Sequence, residues 1–318
     1  MENPNEIYDG MDYLPHALYN WLMESEKEGT NRENFVLTFD GENDIVGFIS
    51  FFFMSSRTTG TKYAFRVSNK IRGKGFGKLF SSMLDSVLLE ENPELKSVMS
   101  AVPDHAMTDE EVVNPKHGDL LTVKHCHEFF LTYPELDKCV VDKKAAKNLS
   151  ILDKDEFSNT LKQGTFTDHL ENNIIHMNWV PAVIDTDDDI DFITRKNQIV
   201  MVDPEYASLS IMTLPYPVPG GLRVSLDFFG QDSSFLELHL VNQLQHLRHP
   251  QHESILTELD QSGRLKNVFL SIVVHPNLTS DLVDISSRLG MGQFRLRRGA
   301  RNREYIRMFV YQKKINQN

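Results

Sequence analysis

Residues 34–56, NFVLTFDGENDIVGFISFFFMSS, hold two apolar runs around a polar stretch built on Asp40-Gly41. That pattern predicts two strands joined by a hairpin turn. A third strand is predicted over 61–68, TKYAFRVS, after the turn-forming Thr59-Gly60. Three consecutive antiparallel strands are the economical arrangement. Beyond them Phe76, Leu79, Phe80, Met83, Leu84, Val87 and Leu88 recur at helical spacing, until Asn92-Pro93 stops the pattern. The spacing predicts a helix pinned to the sheet through Leu79, Phe80 and Met83. A fourth strand follows over 96–103 and a short capped helix within 108–121, where Thr108 and Glu111 have capping-box spacing. A further strand is expected over 126–133. Near the start, Leu14, Leu18, Trp21 and Leu22 mark a helix over 11–27, with Pro15 in its first turn.

The segment 134–159 is charged and mixed, and it suggests a division into 1–140, a linker over 141–165, and 166–318. The second half repeats the order of the first. Strands are predicted over 197–203, 208–214 and 220–230, and a helix over 234–247 with Leu236, Leu240, Gln243, Leu244 and Leu247 along one side. A strand over 267–276, a helix over 279–291 and a last strand over 305–314 complete it. The order strand, strand, strand, helix, strand, helix, strand thus occurs twice, without evident identity between the halves. The fold class predicted is α+β.

Composition narrows the function. The chain has 318 residues, of which 40% are hydrophobic and 25% charged, as in ordinary globular domains. No apolar run reaches the roughly 18–20 residues of a membrane span. The first residues, MENPNEIYDG, lack a basic and then apolar leader, so a cytoplasmic protein is expected. Cys126 and Cys139 are the only cysteines, too few for a disulfide framework or a cysteine-built zinc site. The net charge of −12 argues against nucleic acid as a partner. Positive charge is concentrated in two places. One is Lys70, Arg72, Lys74 and Lys78. The other is Arg295, Arg297, Arg298, Arg301, Arg303 and Arg307, read as a hairpin turning at Gly299 and Asn302.

The first cluster surrounds NKIRGKGFGKLF, residues 69–80. Only three residues separate Gly73 from Gly77 and Leu79 follows Lys78, so the loop is not G-x-x-x-x-G-K-[ST]. Gly73 and Gly75 begin a G-x-G-x-x-G pattern, but Lys78 stands at its last position. What remains is R-x-x-G-x-G between a strand and a helix. Glycines free the backbone to turn its N–H groups toward an anion. The helix adds unpaired amides and the positive end of its dipole. Arg72, Lys74 and Lys78 complement phosphate charge. The arrangement fits a pyrophosphate.

The stretch FRVSNKIRGKGFGKLF resembles the acetyl-coenzyme A signature of the GNAT N-acetyltransferase superfamily. Within that superfamily the chain resembles the histidine N-acetyltransferase family, through YDGMDYLPHALYNWL near its start and LRVSLDFFG in its second half. The resemblance implies two tandem GNAT-like domains, each a mixed, mainly antiparallel sheet flanked by helices. It implies acetyl-CoA as co-substrate, no metal, and a small-molecule amine as acceptor. Backbone groups of Phe65, Arg66 and Val67 would pair with the pantetheine arm. Arg72, Gly73, Lys74, Gly75, Phe76, Gly77 and Lys78 would hold the pyrophosphate, and the thioester would lie in a gap between the third and fourth strands. Asp12 and Tyr13 would border the acceptor. A full GNAT domain begins with a strand and helix before YDGMDYLP, so the first strand is expected to be missing or shortened. Many members carry a glutamate on the third strand; TKYAFRV has none, and Tyr63 is the titratable group nearest that place. Its expected role is proton donor to the leaving thiolate.

The second half has no R-x-x-G-x-G. Its matching stretch SLDFFGQDSSFLEL offers Gly230 alone beside Asp227 and Asp232, whose charge is expected to repel pyrophosphate, leaving this half to wall the acceptor site. Histidine is the leading acceptor by resemblance. Alternatives are a peptide or polyamine acceptor, or a non-catalytic relative that binds coenzyme A and acts through protein contacts. The acidic run 185–191 lacks the glycine of a calcium loop and reads as a solvated loop or helix start. His125 and His127 flank Cys126 at strand spacing that puts both rings on one face, with no further ligand marked for zinc. HLRHPQH, 246–252, reads as a surface turn.

Overall fold

The computed structural model describes residues 31–39, 45–108, 110–111, 118–139, 149–166, 170–194, 198–213, 215–247, 266–293 and 305–315. The 11–27 helix, the Asp40-Gly41 turn, most of 246–252 and the arginines 295–303 lie outside these residues, as do Asp12 and Tyr13.

Strands β1 (Arg32–Thr38), β2 (Ile45–Met54) and β3 (Thr59–Val67) form the expected antiparallel meander. β2 is apolar on both sides because both sides are covered. Phe48, Phe52 and Met54 enter one core, while Ile49, Phe51 and Phe53 enter another on the opposite face. Helix α1 (Phe76–Glu91) covers that second face through Phe80, Leu84 and Leu88. Leu79 and Met83, expected to pin it, are instead 55% and 52% exposed. The helical repeat has two apolar stripes, and only the 80–84–88 stripe meets the sheet.

β4 (Ser97–Pro103) leads to β5 (Asp119–Thr132), which begins well before the strand expected over 126–133. The Thr108–Glu111 capping box forms as its spacing predicts. Within the expected linker, β6 (Ser150–Leu152) precedes α2 (Lys154–Lys162), which Asp153 and Glu156 close with a second capping box. The hairpin β7 (Ile174–Met177) and β8 (Val180–Val183) has no counterpart in the sequence reading. The acidic run is a helix start, as expected. Thr186 caps α3 (Asp187–Ile193), and Asp189 is fully buried.

The second half supplies β9 (Ile199–Val202), β10 (Leu209–Met212), β11 (Tyr216–Val218), β12 (Gly221–Phe229), α4 (Ser233–His246), β13 (Asn267–Val274), α5 (Thr279–Arg288), β14 (Gly292–Gln293) and β15 (Ile306–Lys314). All the described strands except the β7–β8 hairpin join one thirteen-stranded sheet of order β1-β2-β3-β4-β15-β5-β13-β12-β10-β9-β6, with β11 on β12 and β14 on β5. The last strand of the chain therefore lies inside the first half, antiparallel to β4 on one side and β5 on the other. β5 in turn pairs with β13 of the second half. One core joins the halves, running from Phe48, Tyr63 and Met99 through α2, α3 and the β7–β8 hairpin to Val200, Ile211 and Phe229.

Asp189 adds a polar tie across this junction. It accepts from the Ser55 amide at 2.6 Å and the Ser55 hydroxyl at 3.1 Å, and also from Thr186 N and Oγ1. Asp189→Ala strands these buried donors and should lower unfolding free energy by about 3 kcal/mol in urea titrations.

His239 of α4 is fully buried between the hydroxyls of Ser208 and Ser210, at 2.9 and 2.7 Å. Burial lowers its pKa to about 3, against a smaller opposing pull from Asp203. The unfolded chain therefore takes up a proton near pH 6.5 that the folded chain refuses. Stability is full above that pH and falls as the pH drops toward 3. The His239 contribution is about 2 kcal/mol lost between pH 6.5 and 5. Unfolding free energies measured at both pH values should show that much less acid sensitivity in His239→Gln.

Candidate functional site: a glycine turn, a parted ladder and a hairpin

The turn after β3 is wound tightly. The carbonyl of Ser68 accepts from the amides of Ile71 and Arg72 at 3.1 and 3.2 Å. Gly73 and Gly75 then take left-handed φ values of 75° and 85°. A Cβ built on either would meet nothing within 4 Å. Glycine is thus required here by backbone conformation, and the space above the loop is open. Gly75 is the N-cap of α1 and has no side chain with which to cap it. The first-turn amides, at Phe76, Gly77 and Lys78, have no intrahelical acceptor and face a turn without acidic residues. Arg72 Nε donates to the Val67 carbonyl at 2.8 Å, Lys74 Nζ to Lys70 at 2.9 Å, and Arg66 Nη1 to Phe65 at 2.9 Å. The cationic side chains thus fold back over the loop's own carbonyls. Backbone, dipole and charge together fit a pyrophosphate.

The adjoining strands part at this end of the sheet. β3 and β4 pair in parallel only from Thr59↔Ser97 to Lys62↔Ser100. Beyond that point β3 carries a bulge. Its register against β2 jumps from Tyr63↔Ser50 to Arg66↔Phe48, and Ala64 sits at φ 55°. β4 stays with β15 through Pro103. The β4-facing edge of Phe65, Arg66 and Val67 therefore borders a gap.

Tyr63 is buried where the ladder ends, its ring 5.9 Å from Phe52. The β7–β8 hairpin packs over it. Pro181 O accepts from Thr61 Oγ1 at 2.9 Å, and Asn178 Nδ2 donates to the Tyr63 hydroxyl at 3.4 Å. The sequence reading missed Asn178. Its only local signal is the two-residue Asn178-Trp179 turn, and nothing in the sequence says which sheet face the hairpin covers.

The second half lacks both features. α4 is capped by Asp232, whose carboxylate accepts from Ser234 N at 2.8 Å, so the anion site is filled from within. That amide holds the Asp232 carboxyl below the usual range. β12 and β13 stay paired from Gly221↔Asn267 to Asp227↔Val273, with no parting. Asp227, expected to repel pyrophosphate, is committed to internal partners instead. It is fully buried, with its oxygens on His176 Nδ1 at 2.9 Å and Asn178 N at 3.0 Å.

A polar cluster that the sequence did not mark lies between the halves. Glu171 accepts from Lys124 at 3.0 Å and from Thr122, and its other oxygen meets His275 Nε2 at 2.9 Å. Burial lowers the Lys124 pKa, with Glu171 opposing. His125 stacks on Tyr305 at 4.0 Å and meets Thr279 Oγ1 at 2.6 Å, and His127 is buried beside Phe129. Arg307, the described member of the arginine group, lies 3.4 Å from Asp104. Among the described residues no three His, Cys, Asp or Glu side chains gather as a metal site. No described helix is long and apolar enough to cross a membrane.

Comparison with known proteins agrees with the resemblance read from the sequence. Residues 145–259 match the family described as histidine N-acetyltransferase, C-terminal. A histidine N-acetyltransferase of Xenopus tropicalis is 24% identical over 250 residues, 75% of this chain and 74% of that protein. A match of that length cannot lie in one half alone. Among solved structures, a tandem GNAT protein from the clavulanic acid biosynthesis pathway covers 94% of this chain and 88% of its own, at 10% identity and a TM-score of 0.49. A GCN5-related N-acetyltransferase from Sphaerobacter thermophilus covers 96% and 86%, at 12% identity and a TM-score of 0.46.

Gly75→Glu places bulk and negative charge in the open cradle. It should weaken acetyl-CoA binding by at least about 100-fold in calorimetric titration. Unchanged affinity would remove the cradle assignment.

Proposed function

We propose that the chain, a histidine N-acetyltransferase-like acyltransferase of the GNAT type, moves acetyl from acetyl-CoA to the α-amine of a free amino acid, with histidine the first candidate. The observation that carries this reading is the coincidence of the uncapped glycine turn with the parted β3–β4 ladder. One suits a pyrophosphate and the other an extended arm beside a strand edge, and they adjoin in the first half alone.

Acetyl-CoA supplies a thioester carbonyl open to a neutral amine, and a thiolate as leaving group. The remaining tasks fall to the protein. Arg72, Lys74, Lys78, the glycine turn of Gly73 and Gly75, and the first-turn amides of Phe76, Gly77 and Lys78 hold the diphosphate. The edge of Phe65, Arg66 and Val67 aligns the arm, which makes the reaction effectively unimolecular. Tyr63, at the end of the paired ladder, gives its hydroxyl proton to the departing sulfur. It is reprotonated by the proton that the attacking nitrogen releases to solvent. Asp12 and Tyr13 remain proposed acceptor contacts. The second half, with its helix capped and its ladder closed, walls the acceptor side and takes no cofactor.

A second reading has one observation in its favour. β3, TGTKYAFRV, carries no carboxylate to act as base, which suits a relative that binds coenzyme A without turnover. Release of free thiol from acetyl-CoA with a panel of amino acids, peptides and polyamines separates the two. Thiol release is expected with an amino acid, histidine foremost. Cofactor binding with no turnover on any amine would establish the second reading.

A further inference from the structure

We infer that Asn178 and Asp227, both from the second half, are positioning residues for the Tyr63 hydroxyl of the first half. The inference rests on the reading of Tyr63 as proton donor.

The hairpin turn that carries Asn178 is held in a costly shape. Met177 pairs with Val180, leaving Asn178 and Trp179 to turn at φ 47° and 71°. Asparagine tolerates that region, but a tryptophan there is unfavourable and persists only where its surroundings impose it. Asp227 imposes it. From near the C-terminal end of β12 one carboxylate oxygen accepts from His176 Nδ1 at 2.9 Å and the other from the Asn178 amide at 3.0 Å. Both partners belong to the hairpin, one in its strand and one in its turn. Burial keeps His176 below its usual pKa, consistent with a neutral ring donating through Nδ1. Asp227 and His176 are each fully buried. Apolar side chains would fill the same volume without the desolvation cost of a carboxylate. What the carboxylate achieves is a fixed turn.

The turn points across the junction between the halves. Thr61 holds the hairpin stem to β3 through Pro181, and Asn178 Nδ2 reaches the Tyr63 oxygen at 3.4 Å, one residue past the last β3–β4 pair. An N–H donated to the phenol oxygen stabilises the phenolate left when the proton departs. It also occupies an oxygen lone pair, so the hydroxyl proton turns elsewhere. Deleting the carboxamide should leave the cofactor bound and its sulfur poorly protonated.

Asn178→Gly tests this while keeping a residue that suits the turn. Tyrosines labelled with 13C at ζ give a Tyr63 signal identified by its loss in Tyr63→Phe. That signal should move in both Asn178→Gly and Asp227→Asn. Thiol release should show kcat about tenfold lower in Asn178→Gly with KM for acetyl-CoA unchanged, and no added loss when Asn178→Gly is built into Tyr63→Phe. A Tyr63 signal unmoved in folded Asn178→Gly overturns the inference, as do losses that multiply in the double variant. If the wild type turns over no amine, the acetyltransferase reading fails and the NMR signal alone decides the positioning.

Discussion

The placement of β15 governs the whole molecule. A strand from the end of the chain fills the slot between β4 and β5, and β5 then pairs with β13. Each half thus has a sheet that its own sequential strands do not complete. The exposed edges that two separate sheets would present are paired internally instead. The exchange brings the halves into one sheet, and that fixes which face of the first half the hairpin of the second can reach.

Within this shared frame the run β1–β2–β3–α1–β4 of the first half is matched by β9–β10–β12–α4–β13 in the second, for different ends. The difference comes down to two local choices. Gly75 leaves the end of α1 open where Asp232 closes α4. The bulge at Ala64 lets β3 leave β4, while the β12–β13 ladder runs on to Asp227. A capped helix and a continuous ladder satisfy their own backbone groups and need no ligand. An uncapped helix beside a parted ladder keeps donors and a strand edge available. The protein is acidic overall, so the lysines and arginines of the loop supply locally what its net charge does not.

Most of this was readable where local chemistry decides the structure. The strand and helix alternation, the Thr108–Glu111 box and the glycine turn all follow from residues within a few positions of one another. The early start of β5 was not readable, because Leu120, Thr122 and Lys124 are held extended by β15, nearly 200 residues away. The box of Asp153 and Glu156 was present in the sequence but lay in a stretch dominated by charge. Leu79 and Met83 show the limit of periodicity: it finds a helix without saying which of two apolar stripes meets the sheet.

Asp227 is the instructive case. In sequence it stands between Leu226 and Phe228, at a position that matches the strand before a cofactor loop, and its charge invites a reading in terms of that missing ligand. A carboxylate in the centre of a sheet must instead find donors inside the protein or not be charged at all. The donors come from a hairpin whose register and covering face are set by the strand exchange. The same carboxylate that looks like a reason for the second half to lack a cofactor is therefore better understood as its contribution to the first half. It fixes a turn that the first half on its own would not have above its gap.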